Sequence, residues 1–359
     1  MKQNTPLTCV CLLFLAALVA GAQTKPMAEP VLPTPLMGLL DRFTAADVPV
    51  LGPAETEVPP PKWTKAPTPP NLPGNGLAQH PMLYAGESYN KLFIVRDGKI
   101  LWTYSTGGGF EYDDFWMLSN GNILFTRMQY IAEVTPKKEV VWRYDAPPGR
   151  EIHACQPIGL DKVLFIQNGL PPQLLVINIK TKAVEVQHNL PCPSLTDPKT
   201  VHGQFRRVRY TAQGTYLVPF LNRGKVVEYD HDFKEIWSYD IKSPWAAIRL
   251  HNGNTLITDE ADKLTREVNP AKETVWELKP EDLPEADRFR DSQTCTRLAN
   301  GNTIICSRGG YGKGPQLVEV TPAKQVAWVL YDWAHVGPAT AVQVLDDPGV
   351  PENPGEIER

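Results

Sequence analysis

The chain has 359 residues, of which 42% are hydrophobic and 9% aromatic, enough to build a large core and too apolar for a disordered protein. Only 21% are charged and the net charge is −4, which excludes the broad basic face that nucleic-acid binding needs. Its 35 Pro, roughly twice the usual share, and 26 Gly leave almost no room for long helical periodicity.

Met1 and Lys2 precede an apolar run from Leu7 to Val19, followed by the small residues Ala20, Gly21 and Ala22. A run of that length before small residues is the pattern of a secretory signal peptide, and it falls short of the roughly 18 to 20 residues of a membrane span. Residues 1–22 are therefore expected to be removed, leaving an exported chain, periplasmic or secreted, with no membrane span. Their loss takes away one Lys and no acid, so the net charge moves from −4 to −5.

Residues 23–77 follow as a Pro-rich linker, with thirteen Pro between Pro26 and Gly76. Such a density forbids a helix interior or a central strand. The stretch is expected to be extended, either as a flexible spacer or as a strap laid on the folded domain through Leu36, Met37, Leu39, Leu40 and Phe43.

From residue 79 onward the chain repeats itself. Trp116-Met-Leu-Ser-Asn-Gly-Asn-Ile-Leu-Phe125 recurs as Ile248-Arg-Leu-His-Asn-Gly-Asn-Thr-Leu-Ile257 and as Thr296-Arg-Leu-Ala-Asn-Gly-Asn-Thr-Ile-Ile305, with weaker copies at 156–165 and 208–217. Asn-Gly between apolar runs is a strong hairpin signal, so each copy opens with two antiparallel strands. A third strand carries an acid-apolar-turn pattern, as in Ala132-Glu-Val-Thr-Pro136 and Val318-Glu-Val-Thr-Pro322. A fourth carries an apolar-Trp pair with Trp102, Trp142, Trp237, Trp276 and Trp328, and Glu185-Val186 is its degenerate copy. Successive markers are 40, 44, 51, 39 and 52 residues apart, the length of a four-stranded propeller blade. The recurring Trp are read as structural anchors in the seams between blades.

Five complete units run from about 111 to 333, and residues 79–105 supply three more strands without a first one. Thr340-Ala-Val-Gln-Val-Leu345 reads as that missing strand. An all-β, six-bladed propeller over residues 78–348 follows, its ring closed by pairing the C-terminal strand with the N-terminal blade, with a tail at 349–359. Closure hides the edges that an open stack would expose.

Asp97-Gly-Lys-Ile-Leu-Trp102 resembles the end of the repeat in propellers of the pyrroloquinoline-quinone type. The Leu-x-Asn-Gly-Asn turn followed by Glu-Val-x-Pro and Val-Trp resembles bacterial arylsulfotransferase-like propellers. The resemblance spans roughly residues 79–345 and rests on scaffold residues. The first family implies a quinone held with calcium, but no cluster of Asp, Asn and Glu is spaced to hold one, so no cofactor or metal is expected. The second implies a His that carries the sulfuryl group, with Arg and further His around it.

In a propeller the innermost strands line a central channel, and the residues that begin them sit at one mouth. Seven positions before the first turn residue the six copies carry Asp113, His153, Arg206, Trp245, Gln293 and Thr340; nine positions before, they carry Glu111, Glu151, Gln204, Ser243, Asp291 and Pro338. These positions differ from blade to blade although the scaffold is uniform, so Asp113, His153, His202, Arg206, Trp245 and Gln293 are the candidate ligand-binding residues. His153, His202, Arg206, Arg207 and Arg209 fall on two successive blades, an arrangement suited to sulfate, phosphate or a carboxylate. Two functions follow. One is a monomeric propeller that binds a small ligand, glycan or protein at the mouth; the other is a transferase that holds a sulfate or phosphate ester with Arg and uses His153 or His202.

Cys155, Cys192, Cys295 and Cys306 remain after signal removal. If Asn300 and Gly301 are the two turn residues, Cys295 lies opposite Cys306 at a hydrogen-bonded pair about 5.5 Å apart. A disulfide there, or two buried thiols, are the alternatives.

Overall fold

The computed structural model describes residues 35–44, 48–61, 63, 67–86 and 88–357. The signal-peptide reading of residues 1–22 lies outside the described residues. Among the described residues no helix is long and apolar enough to cross a membrane.

Six four-stranded antiparallel sheets form a six-bladed β-propeller. Blade I joins Ala339–Val344 to Met82–Gly86, Lys91–Arg96 and Lys99–Tyr104. Blades II to VI span 115–145, 151–189, 209–240, 244–278 and 295–330 in chain order. The closing strand pairs Val344 with Met82 and Gln343 with Leu83, so the first and last strands of the propeller share one sheet. First, second and third strands are largely buried, whereas the fourth is more exposed in most blades and alternates exposed and half-buried residues in Val140–Asp145 and Val184–Asn189. A sheet with one strand at the solvent rim needs apolar residues on only one of its faces there.

The turns explain why the repeat keeps Asn-Gly-Asn. In blade II the Leu118 N–H donates to the Asn122 carbonyl and the Gly121 N–H donates to the Leu118 carbonyl; Leu250–Asn254 and Leu298–Asn302 repeat this. Each is a three-residue loop with a type I turn in which only Gly121, Gly253 or Gly301 takes positive φ. The first Asn stays right-handed because its side chain accepts from the N–H of the second, at 2.8 Å in Asn120 and Asn300. The second Asn reaches sideways. Asn122, Asn254 and Asn302 each donate, at 2.6 Å, to the buried Glu of the third strand: Glu133, Glu267 and Glu319.

That loop length corrects the expected cysteine pairing. Three loop residues instead of two shift the register by one, so Cys295 pairs with Ile305 and Thr296 with Ile304. Side chains alternate across a sheet, which sends Cys295 and Cys306 to opposite faces. Cys306 packs in the core between blades VI and I, Cys295 packs against Ile248 and Leu256, and the two remain separate thiols. Burial pushes the Cys306 thiol up to about 12.

Neighbouring blades are tied through the recurring Trp and Glu. The indole N–H of Trp102, Trp237 and Trp276 donates to the carbonyl of Pro136, Pro270 and Pro322, each in a turn of the next blade. Trp328, in the last blade, donates to Gly76 at 2.8 Å. Trp142 lies half-buried between blades II and III. The third-strand acids add ion pairs across the seams: Arg249 to Glu228, and Arg297 to Glu267 at 2.8 Å.

At the closing seam a histidine takes the arginine's place. His80 hydrogen-bonds Glu319 at 3.0 Å and faces Asp346 at 3.4 Å. Burial opposes its charge, but the hydrogen bonds to Asp346 and Glu319 outweigh burial and raise its pKa from 6.5 to about 9. A folded-state pKa above the unfolded one gives stability that is complete below pH 6.5 and is lost as pH rises through about 9. After allowance for solvent this is on the order of 1–2 kcal/mol. Unfolding midpoints measured from pH 6.5 to 9 are expected to fall in wild type and to stay flatter in His80→Gln; parallel curves would remove His80 from ring closure.

Described segments on either side of the propeller lie on the ring. Leu36–Phe43 forms a short 3-10 helix where an extended segment is expected, because no Pro interrupts residues 36–48. Leu36, Leu39, Leu40 and Phe43 are buried against Trp102 and Phe125 of blades I and II, while Met37 is exposed. Thr56 bridges to Thr106, and Trp63 packs on Tyr311 and Trp333. Leu36–Phe43, Thr56 and Trp63 of the Pro-rich stretch thus lie against the ring. The tail crosses the side of the first-to-second-strand turns: Glu352 accepts from Ser119 of blade II, the Glu352 carbonyl accepts from Gly159 of blade III, and the Gly355 carbonyl bonds His251 of blade V.

Candidate functional site at the channel mouth

The channel is nearly full. Asp114 accepts two hydrogen bonds from Arg209, at 2.8 and 3.2 Å, and one from the Cys155 N–H. Arg207, fully buried, donates to the carbonyls of Arg206 and Asp113. These charges, with Trp116, Thr294, Val342 and Ile357 of the tail, enclose a cavity of about 50 Å³, room for a few waters and no more. With the tail against the turn side, a ligand has the other mouth to enter by.

At that mouth the first strands are irregular in a repeated way. Pairing shifts register between Ile152 and Ala154, between Pro244 and Ala246, and where Thr340 and Ala341 oppose Ala85. His153, Trp245 and Thr340 therefore occupy β-bulges, which free a residue from the ladder and re-aim it. The seventh-position column holds the bulge residue in these three blades.

Five of the six candidate ligand residues make contact in two groups. In the first, His153 Nδ1 lies 2.7 Å from Asp113 Oδ2 and its Nε2 lies 3.0 Å from Glu151 Oε2. His202 Nδ1 lies 2.9 Å from that same Glu151 oxygen, and the two imidazole centroids are 5.2 Å apart. Asp113 and His153 are buried, while His202 is half exposed. In the second group the Arg206 guanidinium stands 5.1 Å above the Trp245 ring, and Arg308 stands 5.8 Å from that ring. Arg206 also donates to the His202 carbonyl, which links the groups. Gln293 is fully buried on the same rim, its backbone paired with Cys306 and Thr258.

Three neighbouring residues there carry buried polar atoms with no partner: Arg206 Nε, Trp245 Nε1, and both Nε2 and Oε1 of Gln293. Buried polar groups are nearly always matched, so this concentration marks the rim.

The charges differ from those of an anion pocket. Glu111, Asp113, Glu151, Glu260 and Asp291 stand with Arg206 and Arg308, and Arg308 is already paired to Glu260 and Asp291. Burial alone would raise Glu151, but hydrogen bonds from His153 and His202 bring it down to about 2. Burial opposes ionisation of Asp113 as well, and the His153 charge and hydrogen bond, with Arg206 and Arg207, hold it below the usual range. Glu111 is shifted the other way, by burial and by the Asp113 charge. Both nitrogens of His153 face carboxylates, so it can attack a sulfuryl or phosphoryl group only by displacing Glu151. Glu111 and Glu151 stood in the ninth-position column; nothing in the sequence showed that they would neutralise the His and Arg beside them.

No protein-family model matches the chain, and no curated protein matches it. Solved structures are similar in fold. A protein of unknown function from Bacteroides caccae is 25% identical with a TM-score of 0.65, over 73% of this chain and 97% of that one. A catalytically inactive virginiamycin B lyase from Staphylococcus aureus, crystallised with quinupristin, is 13% identical with a TM-score of 0.51, over 75% and 91% of the two chains. The β-propeller domain of Swd1 from Myceliophteria thermophila is 12% identical with a TM-score of 0.50, over 72% and 88%. Together they show the β-propeller fold.

Proposed function

We propose that this is an exported, monomeric binding propeller whose open mouth takes a small neutral polar ligand, a saccharide fitting best. The observation that carries the reading is the set of unpartnered buried atoms on Arg206, Trp245 and Gln293. Arg206 and Trp245 need acceptors, whereas the Gln293 amide needs an acceptor and a donor. Hydroxyl groups supply both roles. A free anion meets the carboxylates of Glu111, Glu151 and Asp291 on the same rim, which repel it.

Calorimetry on the mature protein with a panel of neutral oligosaccharides, sodium sulfate and a phosphate monoester tests this. A saccharide is expected to bind, with affinity at least tenfold lower in Trp245→Phe and Gln293→Leu, which keep side-chain bulk and remove the polar atoms. Binding of sulfate alone, lost in Arg206→Ala, would overturn the neutral-ligand reading in favour of an anion site. Export rests on residues 7–22: N-terminal sequencing of protein recovered outside the cytoplasm should begin near residue 23.

A further inference from the structure

The imidazole side of the mouth carries a second inference, which does not depend on the saccharide reading. We propose that Glu151, His153 and His202 bind a divalent transition-metal ion of the zinc class, with one coordination position open to the mouth. Glu151 Oε2 lies 3.0 Å from His153 Nε2 and 2.9 Å from His202 Nδ1, and the three donor atoms all lie within 4.8 Å of one another. Zinc bonds of about 2.0–2.1 Å at tetrahedral angles place neighbouring ligand atoms roughly 3.3–3.4 Å apart, so the two measured edges need to open by only a few tenths of an ångström.

Donor type selects the metal. Two imidazoles and one carboxylate suit zinc, cobalt or nickel better than magnesium or calcium, which take oxygen sets. Outside the three ligands, Asp113 Oδ2 lies 2.7 Å from His153 Nδ1 and can accept its proton in a hydrogen bond, so that the metal takes the place of the Nε2 proton that now faces Glu151. Metal-ligating His residues commonly carry such an outer carboxylate. Asp113 is itself held from the channel side, close to Arg206 and Arg207.

The ligands come from elements with independent supports. Glu151 and His153 stand on the strand Glu151–Ile158, two residues apart, with His153 in its bulge. His202 comes from the loop before blade IV and is half exposed, which leaves the ion a path from solvent. Glu111 forms a second such triad with Asp113 and His153. The carboxylates of Glu111, Asp113 and Glu151 outnumber the guanidinium groups of Arg206 and Arg207 beside them, which favours a cation.

The test is titration of the untagged, chelator-treated mature protein with zinc chloride by calorimetry, and with cobalt chloride by visible absorption. One equivalent of zinc should bind, and cobalt should develop the strong visible band of a four-coordinate ion. His202→Ala removes a ligand from a half-exposed loop position and should weaken zinc binding at least tenfold without loss of fold, checked by circular dichroism. Asp113→Asn, which keeps the shape and removes the outer charge, should weaken it by about ten- to a hundredfold. Absence of saturable zinc and cobalt binding, or equal affinity in wild type and His202→Ala, would overturn the site and leave a salt-bridged Glu151 between two histidines. Binding of calcium in preference to zinc would overturn the assignment of class. Saccharide binding at Arg206, Trp245 and Gln293 is read in separate titrations, so either result stands without the other.

Discussion

Deleting the chain after Pro338 is expected to unfold the ring rather than trim it. The truncation removes the strand Ala339–Val344, whose pairing with Met82–Gly86 closes blade I. It takes away the buried side chains of Val344, Leu345 and Val350, at roughly 1.5–3 kcal/mol each, or about 5–9 kcal/mol together. Gln343, whose amide bonds both backbone groups of Met117 in blade II, and Glu352, which holds Ser119, go with it. A native domain is stable by about 5–15 kcal/mol, so a loss of that size is comparable with the whole margin, and the bared Met82–Gly86 edge would invite association between chains. Urea denaturation and size exclusion of the truncated protein should show a lost or greatly lowered midpoint with aggregation. A second truncation, ending at Pro348, keeps the closing strand and should remain a folded monomer. If the shorter chain unfolds at the wild-type midpoint, closure through Ala339–Val344 contributes nothing and the ring is held by the strap and the seams alone.

Blade number and closure could be read because the same constraints recur along the chain, the fourth-strand Trp in five blades, the third-strand Glu in four and the Asn-Gly-Asn turn in three. A third-strand Glu, an Asn-Gly-Asn turn and a fourth-strand Trp recur because each seam needs the same contacts, and the incomplete first copy pointed to its missing strand at the far end. The Cys295 and Cys306 register could not be read, since it turned on whether Asn300 adopts positive φ. The Asp97-Gly98 turn does have both residues at positive φ, whereas Asn300 accepts a local hydrogen bond from Asn302 and stays out. Dipeptide identity alone does not separate the two cases.

The mouth was legible as a place and not as a charge state. Asp113, His153, Arg206, Trp245 and Gln293 stood out because a uniform repeat becomes individual there. Their partners come from elsewhere in the chain: Glu151 is two residues from His153 but 51 from His202, and Asp113 is 40 from His153. A sequence displays the basic residues of 202–209 as a run, while the fold distributes them, with Arg209 on Asp114, Arg207 on backbone carbonyls and Arg206 against Trp245. Sequence left spacer and strap open for residues 23–77, and the tail without a place, for a related reason: segments rich in Pro or Gly show no periodicity whether they are solvated or laid along a surface.

Of the substitutions at Trp142, Trp237, Trp276 and Trp328, Trp328→Ala is expected to be the most damaging, and the gradation among them follows from position in the ring. Sequence spacing treats Trp142, Trp237, Trp276 and Trp328 as equivalent anchors, yet Trp328 is fully buried while the other three are half-buried. The difference is the His80 and Gly76 segment that covers the last seam: His80 packs edge-on to the Trp328 ring at 5.1 Å, and the indole N–H donates to Gly76. Removing a fully buried indole costs about 3–5 kcal/mol through lost transfer energy and the cavity left behind. Here the change also deprives His80 of its packing partner beside Glu319, so the ion pair that links blades VI and I loosens with it. For Trp237, whose ring is stacked on Tyr239 and capped by Arg249 at the solvent rim, roughly 1–2 kcal/mol is expected, because much of its surface is already wet and the neighbours can close over it. Urea midpoints of Trp328→Ala and Trp237→Ala should therefore separate clearly, and Trp328→Ala combined with His80→Gln should cost less than the sum of the single changes because both act on one seam. Equal midpoints for the two Trp variants would mean that the closing seam is no more tightly packed than the rest, and additive effects in the double variant would place His80 and Trp328 in separate contacts.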